Sequence, residues 1–195
     1  MPVQKEAVTK PSAQSPVQAP KEAAVKPPAP IVNTKTQELI EQLRRGDLAS
    51  RSAAATALGK IIDGQSTTAL IEALRDPTAE VACEAATALG VLTERGALHA
   101  LIDVVVNHDG YFHSTVRTAA CESLGRLDDP RGVEALVAAV RDPILETSLA
   151  AIHALGKIGD ARAFPTMRAI VANSDGFFLP EAQEAAGKIL GGIGA

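Results

Sequence analysis

Tryptophan is missing from this chain, tyrosine occurs once and phenylalanine four times. Large rings are the usual bulk of a core, so any core here must close with Ala, Leu, Val and Ile. Cysteine is as scarce: Cys83 and Cys121, far apart in sequence, give neither a disulfide framework nor metal-ligand spacing. No apolar run approaches the roughly 18 residues that a membrane span needs. An excess of positive charge is lacking as well. The 19 Lys and Arg face 23 Asp and Glu, for a net charge of -4, and nucleic-acid binding calls for a basic footprint. What is present in quantity is small and branched apolar material, 46% of the chain, which excludes disorder throughout.

Residues 1–35 differ from the rest. They hold seven of the twelve prolines, Pro2, Pro11, Pro16, Pro20, Pro27, Pro28 and Pro30, a density that opposes helix and favours extended, solvated backbone. KEAVTKP at Lys5 to Pro11 returns as KEAAVKP at Lys21 to Pro27, a low-complexity signature. This segment carries five Lys against two Glu, leaving residues 36–195 with 14 basic and 21 acidic residues, net -7. The expectation is a disordered Pro/Ala/Lys-rich arm over 1–35 and a folded domain over 36–195. No apolar stretch of a secretory leader follows the start, and with two unpaired cysteines the expected location is cytoplasmic.

From Thr36 onward one pattern returns: Ala, three residues, then Leu-Gly. It stands at Ala54–Leu58–Gly59, Ala85–Leu89–Gly90, Ala120–Leu124–Gly125 and Ala151–Leu155–Gly156, with a degraded copy at Ala186–Leu190–Gly191. The glycines are spaced 31, 35, 31 and 35 residues apart, periods that signal a solenoid. Each unit reads as two helices. In the second unit Leu70, Ile71 and Leu74 make the apolar face of a first helix, and Asp76-Pro77 supplies a cap and a first-turn proline. Val81, Ala85, Ala88 and Leu89 then face inward from a second helix that stops at Gly90 as a C-cap. Small facing residues let helices approach closely. An acidic residue, Asp63, Glu94, Asp129 or Asp160, falls four after the glycine in the first four units and suits the start of the next helix. With Arg131 and Arg162 these carboxylates predict a ladder holding the units in register.

The strings ALIEALRDPTAEVACEAATALG (Ala69 to Gly90) and ALVAAVRDPILETSLAAIHALGKIGDARA (Ala135 to Ala163) resemble the HEAT-repeat superfamily, in particular the short variety named after phycobilisome lyase subunits. The resemblance covers about Thr36 to Ala195. It implies an all-α, right-handed α-solenoid of about five helical hairpins, HEAT-like or armadillo-like, after the disordered N-terminal arm. Such repeats are generic binding scaffolds, so function does not transfer with the fold.

Alternation of 31 and 35 makes the true unit a pair 66 residues long. The offset superposes Arg75-Asp76-Pro77 on Arg141-Asp142-Pro143, and Asn107-His108-Asp109-Gly110-Tyr111-Phe112 on Asn173-Ser174-Asp175-Gly176-Phe177-Phe178. The Asp-Gly pairs are turn chemistry, and a pair of aromatics follows each. Four of the five aromatic residues therefore sit in two equivalent loops, expected on one edge of the solenoid; Phe164 is the exception. Two readings stand side by side. The rings fold back to plug the gap between helices, or at least one ring per loop is exposed and anchors a partner. The candidate partner-binding residues are Asp109, Tyr111, Phe112, His113, Asp175, Phe177 and Phe178; His113 has Leu179 as its counterpart.

Catalytic chemistry is not legible. His99, His108, His113 and His153 share no spacing that sets two imidazoles and a carboxylate on one helix face. The His-Glu dipeptides of a metal-binding HEAT hydroxylase are absent, and no phosphate-binding glycine motif occurs. Cys83 and Cys121 occupy small-residue positions and read as buried, inert thiols. Arg44, Arg75 and Arg141 end first helices, where a cation complements the helix dipole. The sequence thus points to a non-catalytic protein-binding scaffold without cofactor or metal, engaging another protein rather than nucleic acid or membrane. The alternative, implied by the resemblance alone, is a phycobilisome-lyase-like, chromophore-handling subunit. The degraded last repeat, Gly-Gly-Ile-Gly-Ala, lacks a polar cap and leaves an end able to self-associate.

Overall fold

The computed structural model describes residues 34–193, apart from Glu94 and His108. The predicted arm, except for Thr34 and Lys35, which open the first helix, lies outside the described residues, as do Glu94 of the acidic series and His108 of the first loop. Ten helices follow in order: α1 (Thr34–Arg45), α2 (Leu48–Leu58), α3 (Gly64–Ala73), α4 (Ala79–Leu92), α5 (Leu98–Val106), α6 (Ser114–Leu127), α7 (Val133–Ala139), α8 (Leu145–Ile158), α9 (Phe164–Ala172) and α10 (Pro180–Ile193). Single turns of 3₁₀ helix lead into α5, α7 and α9. No strand occurs among the described residues, and no helix there is long and apolar enough to cross a membrane.

Consecutive helices pair as five antiparallel hairpins. The second helices α2, α4, α6, α8 and α10 stack one on the next, and α1 packs on α3 and α5 on α7 in the other layer. This is the expected α-solenoid. Its core runs continuously between the layers. Leu58, Leu70, Leu89, Leu101, Leu124, Leu136, Ile152, Leu155 and Ile170 are sealed from solvent, and so are the inward Val81, Ala85 and Ala88. Alanine solves the aromatic shortage by bringing helix axes together rather than by filling space.

Gly59 ends α2 as its C-cap, but the glycines of the next three units do a different job from the one expected. Gly90, Gly125 and Gly156 lie inside α4, α6 and α8, and each helix continues two or more residues further. The left-handed cap falls on Thr93, Asp128 and Gly159 instead. The physical reason for glycine is close approach. A Cβ on Gly125 would stand 2.9 Å from the Cα of Ala154 on α8, and one on Gly90 2.8 Å from the Cα of Ser123 on α6. These are backbone atoms that cannot step aside. Ser123 uses the contact, donating its hydroxyl to the carbonyl of Ala86 at 2.8 Å. In the last unit Gly191 and Gly192 are likewise within α10.

The acidic residues that precede first helices act as the sequence suggests. Asp63 accepts from Ser66 N at 2.6 Å, Asp129 from Arg131 N at 3.0 Å and Asp160 from Arg162 N at 2.9 Å, each satisfying an otherwise unpaired amide at a helix start. Burial pushes the Asp63 carboxyl up, but the hydrogen bonds from Ser66 and Thr36 outweigh it and hold the group below its ordinary value. The ladder between units is carried by Arg162, which reaches Glu134 and the Pro130 carbonyl of the preceding unit. The hydrogen bonds described for Arg131 stay on its own Asp129.

Candidate functional site

The two aromatic loops are built alike. Asn107 and Asn173 end α5 and α9 with φ of 48° and 41°, a left-handed conformation that Asn tolerates. Their amides then staple the loop shut. Asn107 Oδ1 accepts from Phe112 N at 2.9 Å, and Asn173 Oδ1 from Phe178 N at 2.8 Å. Asp109 and Asp175 each accept from the amide two residues on, Tyr111 N and Phe177 N, both at 3.2 Å. Gly110 and Gly176, at φ 66° and 68°, supply the reversal. The Asn and Asp side chains thus account for the closure of each loop.

Each loop divides its two rings between the two readings. Phe112 and Phe178 turn inward and are only 6% exposed, closing the widened gap between the helices of their hairpins. Tyr111 and Phe177 remain 49% and 46% exposed. The rings of each pair meet edge to face, with centroids 5.3 Å apart in the first loop and 5.1 Å in the second. This is the arrangement that the ring quadrupole favours. The outer ring is therefore held on a seat formed by the inner one.

Arg75 and Arg141 are more than complements to a helix dipole. The Arg75 guanidinium lies 5.3 Å from the centroids of both Tyr111 and Phe112, and pairs with Asp109 at 3.5 Å. Arg141 stands 5.1 and 5.2 Å from Phe177 and Phe178 and pairs with Asp175 at 2.7 Å. The Arg141 hydrogen bond holds the Asp175 carboxyl below its ordinary value. In the first loop Tyr111 adds a bond from its hydroxyl to the Arg75 carbonyl, 3.0 Å long. Each arginine so ties a loop to the unit before it. Arg44 does the same at the first junction through Glu72, at 2.9 Å.

The Asp-Pro turn that follows each arginine also departs from expectation. Asp76 and Asp142 do not cap α4 and α8; the residues preceding those helices are Thr78 and Ile144, which make no side-chain cap. Instead Asp76 accepts from Thr78 N and Asp142 from Ile144 N, and both take a half-buried arginine. Arg117 on α6 meets Asp142 with two bonds of 2.9 Å, and Arg51 on α2 meets Asp76 at 3.0 Å. The same arginines donate to the carbonyls of Phe112 and Gly46, and Gln183 donates to that of Phe178. Residues 51, 117 and 183 are 66 apart. Sequence reasoning passed over Arg51 and Arg117, although the same offset that exposed the loops marks them.

A cleft opens beside each loop. The first, about 300 Å³, is walled by Leu74, Pro77, Ala79, Tyr111, Phe112 and His113. The second, about 290 Å³, is walled by the equivalent Pro143, Leu145, Phe177, Phe178 and Leu179. His113 caps the N-terminus of α6, with its Nδ1 accepting from Thr115 N; Leu179 makes the second cleft more apolar. A further hollow of about 330 Å³ lies on the face of the second helices, lined by Cys83, Thr118, Ala119, Glu122, Ile144 and Glu146. Cys121 is buried, and burial pushes its thiol up to about 12, whereas Cys83 is half-exposed rather than buried as expected. No group of three His, Cys, Asp or Glu side chains able to hold a metal occurs among the described residues.

A family model described as HEAT repeats matches residues 36–112 and 111–187. The chain is a HEAT-repeat protein. Among solved structures, these HEAT repeats are similar to the complex of CpcE and CpcF of phycocyanin lyase from Nostoc sp. PCC7120. That match has 26% identity and a TM-score of 0.65, and covers 90% of this chain and 69% of the other. They are also similar to human deoxyhypusine hydroxylase in complex with glycerol, at 20% identity and a TM-score of 0.60. There 80% of this chain is covered and 62% of the hydroxylase, a likeness of fold. No curated protein matches the sequence significantly.

Proposed function

We propose that this HEAT-repeat chain is a non-catalytic adaptor that grips a partner protein at two equivalent points, the clefts beside the Asp-Gly-aromatic loops. The observation that carries this reading is the half-exposure of Tyr111 and Phe177, one ring per loop, on scaffolds fixed by Asn, Asp and Arg side chains. A large apolar side chain held rigid in solvent pays little entropy on binding, which is why such rings dominate binding hot spots. Within the proposed site Tyr111 and Phe177 make contact and His113 lines the rim of the first cleft. Phe112 and Phe178 act from beneath, as the seats of the outer rings, and Asp109 and Asp175 hold the loops in shape. The domain is taken as residues 36–195, with residues 1–35 as an arm, and the chain as cytoplasmic with unpaired thiols. The test is affinity capture from native lysate with the full chain, with a chain lacking residues 1–35, and with Tyr111→Ala/Phe177→Ala. Loss of specific capture in the double variant supports the reading; unchanged capture removes it.

A second reading has one observation in its favour, the likeness to a phycocyanin lyase complex. On it the chain would be a chromophore-handling subunit. Incubation with a linear tetrapyrrole and an acceptor protein decides this, since handling requires a shift in the absorption spectrum.

A further inference from the structure

Between the two aromatic clefts the second helices carry the hollow described above. The first cleft lies between α4 and α6, at Ala79, Ala82, His113 and Val116. The hollow begins on the other side of the start of α6, at Ser114, Thr115 and Thr118, and reaches from Cys83 on α4 to Ile144 and Glu146 at α8. The second cleft continues from α8, at Leu145 and Ser148, to α10. A partner that fills both clefts crosses either this hollow or the edge between α5 and α7, where Arg117 and Arg141 are already engaged by Asp142 and Asp175; the hollow is the crossing whose charges are left to a partner.

Its chemistry differs from that of the clefts. Cys83, Ala119 and Ile144 give apolar wall, and Thr87, Thr115 and Thr118 give small polar groups. The charged side chains lining it are both acidic, Glu122 and Glu146, and both are exposed. Glu146 has no ion pair among the described residues, and Glu122 has only an exposed i,i+4 contact with Arg126 at 3.3 Å, a kind of pair that contributes little and exchanges readily. An apolar wall ending in carboxylates fits a long side chain with an aliphatic stem and a cationic head. The net charge of -7 over residues 36–195 adds long-range attraction of the same sign.

We propose that the partner is a linear protein segment with the pattern apolar, basic, apolar: a Lys or Arg side chain in the central hollow between two apolar anchors in the aromatic clefts. The clefts lie two second-helix spacings apart, about 20 Å at a helix spacing of roughly 8–10 Å. An extended segment covers that in about six residues. The central cation sets charge preference, and the flanking anchors set position. This inference rests on the two-cleft reading and adds the chemistry of what lies between.

Selection of a random 14-residue peptide display library on the full chain tests it. Enriched peptides should carry Lys or Arg between two aromatic or branched apolar residues. The best of them, synthesised with a fluorescent label and titrated by anisotropy, should bind at least about tenfold more weakly to Glu122→Gln/Glu146→Gln and should lose most of its salt dependence. A peptide with Glu in place of the central cation should recover binding to Glu146→Lys. Enrichment of acidic or charge-free centres, or unchanged affinity in the Gln variant, overturns the proposal. If such peptides nonetheless lose binding to Tyr111→Ala/Phe177→Ala, the two-cleft reading stands and only the central cation falls. If no peptide is enriched, or none depends on either pair of residues, both fall.

Discussion

Tyr111 donates its hydroxyl to the carbonyl of Arg75 across a unit boundary, at 3.0 Å, whereas Phe177 in the equivalent place has no hydroxyl to give. The Asn and Asp bonds that shape the two loops are otherwise the same. The second compensates with the shorter ion pair, 2.7 Å between Arg141 and Asp175 against 3.5 Å between Arg75 and Asp109. Tyr111→Phe should therefore cost no more than about 1 kcal/mol of stability, the net worth of one hydrogen bond, and should leave partner capture intact. Chemical denaturation followed by far-ultraviolet circular dichroism measures the first, and the capture assay the second.

Removal of the outer rings should separate packing from recognition. Tyr111→Ala/Phe177→Ala is expected to weaken capture by about 2 kcal/mol or more in total, with the helical spectrum and melting temperature nearly unchanged. Phe112→Ala and Phe178→Ala should behave in the opposite way, because these rings are buried. Each should lose about 3 kcal/mol of stability. Parallel melting and capture curves for the three variants check this.

The close approach of second helices predicts a sign reversal at glycine. Alanine is a better helix former than glycine by about 1 kcal/mol, yet Gly125→Ala should be destabilising by about 1–3 kcal/mol because its methyl meets the Ala154 backbone. Gly64→Ala, at the start of α3 with nothing within 4 Å, should be neutral or slightly stabilising. Thermal melts of the two variants check the contrast.

Arg117 and Asp142 form a forked pair that is 13% and 10% exposed. Removal of the arginine leaves a largely desolvated carboxylate with only the Ile144 amide, so Arg117→Ala should cost about 3 kcal/mol. Arg117→Lys should restore little, since an ammonium cannot make both bonds and also reach the Phe112 carbonyl. Urea titration of the three proteins measures this.

Acid should loosen the second loop. The Asp175 carboxyl is held below its ordinary value by the Arg141 hydrogen bond. A carboxylate lowered in the folded state stabilises it above the unfolded value, about 3.9, and that contribution is lost as pH falls through the lowered value. Amide exchange at Phe177 should accelerate at that point in wild type, and be fast and insensitive to pH in this range, apart from intrinsic chemistry, in Asp175→Asn.

The repeat, the hairpins, the Asp caps of the first helices and the 66-residue pairing were all legible, because each depends on residues close in sequence or on spacing alone. The concentration of aromatics in two loops was legible for the same reason. Which ring turns in was not. Tyr111 and Phe112 are adjacent and both apolar-bodied, and only the neighbouring unit decides between them, by placing Arg75 over both rings and a gap under one. The role of the glycines was misread for a related reason. A Leu-Gly at the end of an apolar run satisfies the local rule for a helix cap, and nothing local reveals that Ala154 or Ser123 arrives from another helix at backbone distance.

Composition alone determined that the core would be built from small and branched residues, and periodicity determined that it would be a stack of paired helices. Tertiary structure decided where the charged side chains spend themselves. Arg51 and Arg117 go inward to Asp76 and Asp142, Arg75 and Arg141 go to the loops, and Glu122 and Glu146 remain beside an open hollow. The physical reason is reach. A backbone pattern is set by neighbours a few residues away, while a charge is satisfied by whichever group the fold brings within 3 or 4 Å.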